Sequence, residues 1–381
     1  MPTFVGTLSD DIHASATDNI QYGLDGNDTL TYSGMAPPAL YGGEGDDTLD
    51  YSNGYASSGT LYGGNGNDII TSTSLGLGGG ASTFGDEGDD QITNIGGVAY
   101  GGDGNDTITV GKSGFYGGIA YGGWGDDIIT ASNTGLVDGG QGNDTIYAGY
   151  SGIGDTAIVI GGDGDDLVVN NQTGSTGQRM SIFGGDGNDS LYGGGGHDML
   201  VGGNGRDLLV GNGGDDYLYM GSEGGSGYGG DGNDVGVGAA GNDIFVMGAG
   251  ADTAYGYDGG DYFYLGDGND IAYGGAGTDV LLGEAGDDYL DGGEGVNYYF
   301  GGAGSDTFVV RDIASVQVVQ DWKDGADVVR FEGSGFSSLA DVLSHSYQNG
   351  AYFVVQVDSD TAVWLINASA QTVTASDFFF A

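Results

Sequence analysis

Single aliphatic residues flanked by polar ones recur along the first half of the chain and predict many short β-strands. Each is the middle residue of a three-residue segment that follows a stretch rich in Gly and Asp. Because side chains alternate between the two faces of a strand, the aliphatic residue should point inward and its neighbours outward. The predicted core residues are Leu30, Leu49, Ile70, Ile92, Ile108, Ile129, Ile146, Val168 and Leu191.

The stretch before each strand is a glycine-rich turn, as in YGGDGNDTITV, residues Tyr100 to Val110. We number nine positions from the first glycine of GG, so that an Asp is position six and the core residue is position eight. Glycine at positions one, two and four permits positive φ, and Asn or Asp at position five is the next most tolerant type. The chain can therefore curl, with its carbonyls turned inward beside the carboxylate of position six.

The spacing of the position-six Asp residues changes along the chain. Intervals run from 16 to 23 residues up to Asp189 and are nine residues or multiples of nine afterwards, where Gly225 and Asn297 interrupt the series. A nine-residue unit cannot bury its apolar face alone, so two units are expected to form one coil of an all-β, right-handed parallel β-roll or β-solenoid. The first half then has one motif turn per coil and the second half has two. The Asp residues are Asp28, Asp47, Asp68, Asp90, Asp106, Asp127, Asp144, Asp166, Asp189, Asp198, Asp207, Asp216, Asp234, Asp243, Asp252, Asp261, Asp270, Asp279, Asp288 and Asp306.

Charge makes a bound cation necessary. The 381 residues include 55 acidic and 6 basic ones, for a formal charge of −49, with 87 Gly and no Cys. Self-repulsion and glycine entropy both oppose folding of such a chain. Two stacked turns offer the six or more oxygen ligands that Ca²⁺ accepts in irregular geometry, whereas Mg²⁺ demands a near-ideal octahedron. Roughly 20 Ca²⁺ ions would offset about 40 negative charges.

The repeat resembles the calcium-binding nonapeptide G-G-x-G-x-D-x-U-x of RTX (repeat-in-toxin) proteins over about residues 5–310. The resemblance implies that Ca²⁺ lies between equivalent turns of successive coils. It also implies that the twenty Asp residues named above, together with turn carbonyls, are the metal ligands.

Motif spacing and composition together predict three regions: residues 1–182 with one calcium-binding edge, residues 183–310 with two, and residues 311–381 as a small β-rich cap. Glycine becomes less frequent from about residue 311, and three of the six basic residues lie from there to the C-terminus. Within the cap the pattern predicts two strands around a turn in 316–331, a short amphipathic helix in 337–348 and a hairpin in 351–369. The stretch DGADVV and the final DFFF resemble the C-terminal region of type I secretion substrates of Gram-negative bacteria.

Charge and hydrophobic pattern also restrict where the protein is located and which partners it can bind. Contact with nucleic acid needs Lys and Arg that this chain lacks, and no apolar run is long enough to span a membrane. The N-terminal sequence MPTFVGTLSDDIHASA lacks the regions of a cleaved Sec signal. We expect an extracellular, secreted or cell-surface protein, exported by the type I machinery and folded by calcium outside the cell.

No catalytic site is predicted. His13, His197 and His345 are far apart in sequence, and His197 stands at position five, where a turn residue is expected. The GKS stretch at residues 111–113 lacks the glycine that a phosphate-binding loop requires, and position three lacks the repeated Thr or Asn expected of an ice-binding surface. A lyase or epimerase site of Tyr, Asp and Arg assembled across the coils would escape a sequence reading, so such an enzyme stays an alternative. A calcium-dependent adhesin for a cell-surface polysaccharide is another.

Outward-facing apolar residues favour self-assembly. Positions seven and nine of alternate motifs are expected to form a face on one sheet, which either residues 311–381 or another protomer should cover; we expect the former. The residues of this apolar face are Ile244, Val246, Tyr262, Tyr264, Val280, Leu282, Tyr298 and Phe300. An aromatic ladder of Tyr22, Tyr41, Tyr62, Phe84, Tyr100 and Tyr121 suits either assembly or ordinary sheet packing. The sequence thus predicts a structural protein that forms a homo-oligomer or polymer, such as a surface layer, matrix or filament.

Overall fold

The computed structural model describes residues 3–52, 58–73, 80–111, 117–133, 135–149, 156–171, 179–323 and 325–381. Most of the GKS stretch considered above lies outside these ranges. The chain divides into two units, Met1–Gly194 and Gly195–Ala381.

The first unit consists of short strands joined by turns. They are β1 (Thr3–Val5), β2 (Ile12–Ser15), β3 (Ile20–Asp25), β4 (Thr29–Tyr32), β5 (Ala39–Glu44), β6 (Thr48–Ser52), β7 (Thr60–Asn65), β8 (Ile69–Thr73), β9 (Ser82–Glu87), β10 (Gln91–Ile95), β11 (Val98–Asp103), β12 (Thr107–Gly111), β13 (Ile119–Trp124), β14 (Ile128–Ser132), β15 (Leu136–Gln141), β16 (Thr145–Gly149), β17 (Thr156–Asp163), β18 (Leu167–Asn170), β19 (Arg179–Asp186) and β20 (Ser190–Gly195).

Two parallel stacks of strands make up this unit. Each odd-numbered strand pairs with the next odd-numbered strand, and each even-numbered strand with the next even-numbered one. The register aligns equivalent motif positions of successive coils, so that Leu30 lies opposite Leu49 and Leu49 opposite Ile70. All nine predicted core residues have no exposed surface. The parallel β-solenoid predicted from the repeat is therefore confirmed.

The aromatic ladder of the first unit packs ring on ring. Successive ring centroids from Tyr22 to Tyr121 lie 4.7 to 5.1 Å apart, with interplanar angles of 2 to 13°. In-register pairing of the odd-numbered strands brings the rings together at this spacing. Cross-strand aromatic pairs stabilise a sheet, so these rings contribute to packing within the protomer.

The second unit repeats this arrangement and then changes. Its elements are β21 (Met199–Asn204), β22 (Leu208–Gly213), β23 (Tyr217–Gly221), β24 (Ser226–Asp231), β25 (Val235–Ala240), β26 (Ile244–Ala249), β27 (Thr253–Gly259), β28 (Tyr262–Asp267), β29 (Ile271–Gly277), β30 (Val280–Ala285), β31 (Tyr289–Phe300), β32 (Thr307–Arg311), β33 (Ser315–Val319), β34 (Val328–Glu332), α1 (Leu339–Ser344), β35 (Ser346–Asn349), β36 (Tyr352–Gln356), β37 (Thr361–Ile366), a 3₁₀ turn (Ala375–Asp377) and β38 (Phe378–Phe380).

The C-terminal region continues both stacks of the second unit. The long strand β31 pairs with β32 through its first residues and with β33 through later ones, and β34, β38 and β37 follow in parallel. Strands β35, β36 and β37 then pair antiparallel. The predicted strands and hairpin are confirmed. The predicted helix is shorter than expected, because residues 346–349 form β35.

The apolar face predicted on one sheet of this unit is present and open. Ile244, Tyr262, Val280 and Tyr298 form one in-register column, and the remaining four residues form the second. None of the eight is buried, and four are 36 to 43% exposed. The expectation that residues 311–381 cover this face is therefore wrong. Those residues instead lengthen the stacks. Strand β33 pairs in parallel with β31, and β37 pairs in parallel with β33.

The predicted region boundaries at residues 182 and 310 stay predictions. Among the described residues, no helix is both long and apolar enough to cross a membrane.

The contribution of the aliphatic core can be measured at two adjacent isoleucines. Ile129 has no exposed surface, whereas Ile128 is 48% exposed on the same strand. We expect Ile129→Ala to lower the free energy of unfolding by about 2–5 kcal/mol and Ile128→Ala by at most about 1 kcal/mol. Denaturant unfolding at saturating calcium checks this. Equal losses for the two variants would contradict the inward direction of position eight.

Candidate metal centre

The motif turns have glycine at position four throughout the twenty motifs and at position two in most of them. Gly43 and Gly45 have φ of 128° and 117°, a region that residues with a Cβ seldom occupy. A Cβ at Gly43 would also collide with the Leu24 carbonyl of the preceding coil. The turns therefore stack with backbone against backbone.

A ladder of position-six carboxylates runs along each motif edge, which we call the inner ladder. Each Asp donates its backbone N–H to Oδ1 of the equivalent Asp on the next coil, at 2.7 to 2.9 Å in the first unit. Every one of the twenty predicted Asp residues is buried. The hydrogen bond fixes the direction of the carboxylate and leaves Oδ2 pointing into the turn.

Most of these Oδ2 atoms are buried without a hydrogen-bond partner among the described residues. A buried carboxylate oxygen is costly unless a donor or a cation satisfies it. The inner ladder is therefore incomplete as a set of protein atoms alone. The Asp residues concerned are Asp28, Asp47, Asp68, Asp90, Asp106, Asp127, Asp144, Asp166, Asp216, Asp234, Asp243, Asp252, Asp261, Asp270, Asp279, Asp288 and Asp306.

A cradle beside most of these Oδ2 atoms is kept clear by the glycine at position one, which is replaced by Met247 before Asp252 and by Leu265 before Asp270. A Cβ placed on Gly42 would collide with Oδ2 of Asp47 and with the carbonyl oxygen of Gly63 on the next coil. The same arrangement recurs at Gly63, Gly101 and Gly122. Oxygen atoms of two successive coils thus border one position, which fits a divalent cation with carboxylate and carbonyl ligands.

The arrangement differs from a cluster of metal-binding side chains. Within the described ranges no group of three or more His, Cys, Asp or Glu residues is placed to hold a metal. Each cradle is bordered by one carboxylate oxygen and by backbone carbonyls, so most of its oxygen atoms belong to the main chain. Hard cations such as Ca²⁺ accept carbonyl ligands readily.

Burial raises the pKa of the inner-ladder carboxyls in the metal-free chain. The pKa of Asp90, Asp127 and Asp216 rises to about 8, chiefly through loss of water and also through neighbouring carboxylates, against the opposing effect of the backbone N–H of the preceding Asp. Asp68 rises to about 7 for the same reasons. Ionisation of the ladder at neutral pH therefore opposes the metal-free fold.

A second ladder, the outer ladder, is formed by position five and alternates strictly between Asp and Asn in the first unit. Each backbone N–H donates to the side-chain Oδ1 of the preceding coil at 2.7 to 3.1 Å. Every carboxylate of this ladder stacks on amides, which avoids repulsion between like charges at strand spacing. Its members in order are Asp10, Asn27, Asp46, Asn67, Asp89, Asn105, Asp126, Asn143, Asp165 and Asn188.

Two inner ladders occupy the second unit, as the nine-residue spacing predicts. One runs from Asp198 to Asp306 and the other includes Asp243, Asp261 and Asp279. Asn297 continues the second ladder by accepting from the Asp279 N–H at 2.9 Å. Its Nδ2 stands where other coils place Oδ2, beside Gly292, so this turn offers no carboxylate to the cradle.

The structure adds two ladder residues that the sequence reading missed. Asp11 accepts the Thr7 N–H and precedes Asp28, to which its own N–H donates. Asp327 accepts the N–H groups of Asp306 and Lys323. Thr7 and Ser9 replace glycines before Asp11, which hides the motif. The spacing of 17 residues before Asp28 and the aliphatic Ile12 were the available signals.

The histidines do not come together with the ladders as a catalytic group. His197 takes the position-five role, with Nδ1 accepting the Asp215 N–H at 2.7 Å, as the sequence predicts. His13 stacks on Phe4 with centroids 3.8 Å apart and contacts Asp18.

The stacked turns and the unsatisfied carboxylates define a cation-binding parallel β-solenoid. The sequence profile of the RTX calcium-binding nonapeptide repeat matches more than half of the chain, at residues 40–57, 53–74, 98–112, 119–133, 136–150, 181–209, 192–223, 228–246, 248–272 and 273–308. The chain belongs to this family, and calcium is the ion that its repeats bind.

Several solved structures are similar to this chain, among them a lipase and an antifreeze protein. One is the extracellular lipase LipA from Serratia marcescens, with 12% identity over 75% of this chain and 67% of that one, at a TM-score of 0.27. The other is a hyperactive, Ca²⁺-dependent, β-helical antifreeze protein from an Antarctic bacterium, with 18% identity over 84% and 83% of the chains and a TM-score of 0.24. No curated protein sequence matches the chain.

The raised pKa values predict that acid favours the metal-free fold. The carboxyls of Asp47, Asp68, Asp90 and Asp127 have pKa values of about 6 to 8 in the metal-free fold, against an ordinary value of 3.8 in the unfolded chain. Stability of the calcium-free fold should therefore be greatest below about pH 4 and be lost as the pH rises through 6–8. We expect the sheet signal in circular dichroism to increase from pH 8 to pH 5 in calcium-free buffer. A signal that stays flat or falls would contradict this.

Proposed function

We propose that this protein is a secreted structural protein that folds when Ca²⁺ binds between its coils, and that the loaded chains assemble outside the cell into a layer, matrix or filament. One observation carries the calcium part of the proposal. The inner ladder has Asp on coil after coil with Oδ2 buried and unsatisfied, whereas the outer ladder one residue away separates its carboxylates with amides.

The Asp residues with unsatisfied Oδ2 atoms would hold the ions, together with carbonyls of the adjoining turns. Asp189, Asp198 and Asp207 are proposed as further ligands because of their place in the motif alone. Asn297 and Gly225 supply no carboxylate, and the carboxylates of Asp11 and Asp327 already accept protein donors. Roughly 20 ions remain the proposed number. Bound Ca²⁺ would supply the positive charge that lets the coils stack.

Calcium dependence suits export of an unfolded chain. With scarce free calcium inside a cell, 55 acidic residues against 6 basic ones keep the chain extended. At millimolar calcium outside, binding energy becomes folding energy. We propose export by a type I system of a Gram-negative bacterium, with residues 311–381 acting both as the secretion signal and as the cap.

The open apolar face of the second unit supports assembly with a second copy. Its two columns of four residues are in register, and Tyr264, Tyr298 and Phe300 are among the exposed members. Contiguous exposed apolar surface of this kind marks interaction sites. Copies that carry a charge of −49 repel each other, and bound calcium would remove most of that repulsion.

A calcium-dependent adhesin is the second candidate, favoured by a polar and aromatic cleft in the second unit that the next subsection describes. Neither proposal assigns a catalytic step. Release of unsaturated or epimerised sugars from a polysaccharide would favour the lyase or epimerase alternative instead.

Asp127 and Asp126 provide a matched test of the calcium ligands. Asp127→Asn places an amide where the cradle needs Oδ2, as Asn297 does naturally. Asp126→Asn keeps the Oδ1 that accepts the Asn143 N–H. We expect the first variant to raise the calcium concentration at half-folding by at least about threefold and the second to change it less than twofold. Calcium titrations followed by circular dichroism measure both.

Equal midpoints for these two variants would contradict the assignment of position six. Sheet structure that survives complete removal of calcium at pH 8 would contradict calcium-dependent folding as a whole.

Assembly can be tested by sedimentation with and without calcium. We expect calcium to convert the wild-type chain into oligomers, and Tyr264→Ser with Phe300→Ser to reduce assembly because both rings belong to the apolar face. Trp124→Ser is the control, since Trp124 is exposed on a motif turn of the first unit. Monodisperse monomers at high concentration in calcium would contradict self-assembly, and unaltered assembly of the double variant would exclude this face.

A further inference from the structure

A cleft of about 500 Å³ lies across four successive strands of the second unit, β27, β29, β31 and β32. Tyr257 stands on the first strand and Arg311 on the fourth. Between them the register aligns Tyr257 with Gly275 and Gly293. Because those two strands contribute only hydrogen atoms at this column, a depression opens between the aromatic ring and the guanidinium group.

Tyr257 occupies a backbone conformation that the repeat normally reserves for glycine. It stands at position two with φ of 73°, and its side chain is 55% exposed. Four other position-two residues, Leu24, Asp86, Asn212 and Glu284, share a positive φ, so the conformation alone does not mark a site. What sets Tyr257 apart is that it borders the cleft. An exposed ring contributes little to the core, so stability gives no reason for tyrosine there.

Arg311 is held in place at the other end of the cleft. Its Nε donates to Oδ2 of Asp291 at 2.8 Å, its Nη2 lies 2.5 Å from the same oxygen, and Asp291 is buried. Glu332 lies 3.7 Å from Nη2. About two fifths of the Arg311 side chain stays exposed, so a fixed guanidinium presents its remaining donors to the cleft.

Aromatic side chains continue beside the cleft. The Tyr273 ring lies level with Asp291 and stacks on Tyr255 at 5.1 Å between centroids, and Tyr255 lies 6.4 Å from Tyr257. Asp258 and Glu294 add carboxylates to the lining. Flat apolar rings next to a few fixed polar groups are suited to a ligand with both apolar faces and hydroxyl groups.

The charge balance selects among such ligands. Asp258, Asp291, Glu294 and Glu332 outnumber the two guanidinium groups of Arg311 and Arg330, and Arg330 already pairs with Glu332 at 2.7 Å. A polyanion would meet net negative charge here. A neutral sugar chain would not: its hydroxyls can donate to the carboxylates and accept from Arg311, while its ring faces pack on tyrosine.

From these features we infer that the cleft between Tyr257 and Arg311 binds a neutral carbohydrate. The site deepens the adhesin candidate and depends on the proposed calcium-driven folding, since its walls come from four stacked strands. A group of Tyr, Asp and Arg side chains assembled across the coils cannot be recognised from the sequence. The fold brings Arg311 to Asp291 and the tyrosines from strands that are far apart in sequence.

Tyr257→Gly provides a test that should preserve the fold, because glycine is the usual residue at this position and relieves the positive φ. Leu24→Gly is the matched control: Leu24 is also an exposed position-two residue, with φ of 91°, but lies in the first unit. Isothermal titration of the full calcium-loaded chain would use cellohexaose, maltohexaose and mannohexaose as neutral probes and hexagalacturonate as the anionic one. Circular dichroism of the same samples reports folding.

We expect at least one neutral hexasaccharide to bind, to bind at least about tenfold more weakly to Tyr257→Gly, and to bind equally well to Leu24→Gly. A folded wild-type chain that binds none of the three neutral sugars overturns the assignment while leaving calcium-driven folding intact. Tighter binding of hexagalacturonate, or undiminished binding by Tyr257→Gly, overturns it as well. Loss of folding in calcium is the separate outcome that sinks the proposed function.

Discussion

Repulsion between stacked carboxylates is the constraint on which the rest of this structure depends. Parallel coils place equivalent residues one strand spacing apart, about 4.8 Å, so any acidic position becomes a row of like charges. The two ladders meet this constraint differently. The outer ladder inserts an amide between carboxylates, as where Asn143 separates Asp126 from Asp165. The inner ladder keeps its carboxylates adjacent and buried, so that at neutral pH a cation between coils, or in acid a proton on the carboxyl, is needed to remove the repulsion.

The ladders also explain why the fold carries so much glycine. A cation can lie between turns only where carbonyls approach closely, and a Cβ at Gly42 or Gly43 would fill that space or strike the neighbouring coil. Glycine costs conformational entropy in every turn. The core offsets part of that cost, with position-eight residues such as Leu30 and further buried residues such as Tyr32 and Leu40. In the proposed calcium-driven folding, metal binding and coil stacking would therefore be one event.

Period and side-chain alternation sufficed to predict the coil, the buried position-eight residues and the inner ladder, because each follows from a strict local repeat. Features that depart from the repeat were harder to find. Asp11 was missed because Thr7 and Ser9 replace the glycines of its turn. The prediction that residues 311–381 cover the apolar face was wrong because no local sequence feature determines whether they fold back over the sheet or add strands to its end. The cleft escaped notice because Tyr257 and Arg311 belong to different coils and meet only through register.

The alternation of the outer ladder makes the first unit a structure of paired coils. Its geometric repeat is one coil, but its chemical repeat is two, since Asn27 and Asp46 differ where their backbones match. Insertion or deletion of a single coil would leave two carboxylates or two amides in contact, whereas adding or removing a pair would restore the order. Lengthening or shortening this solenoid without electrostatic cost therefore has to proceed in even steps.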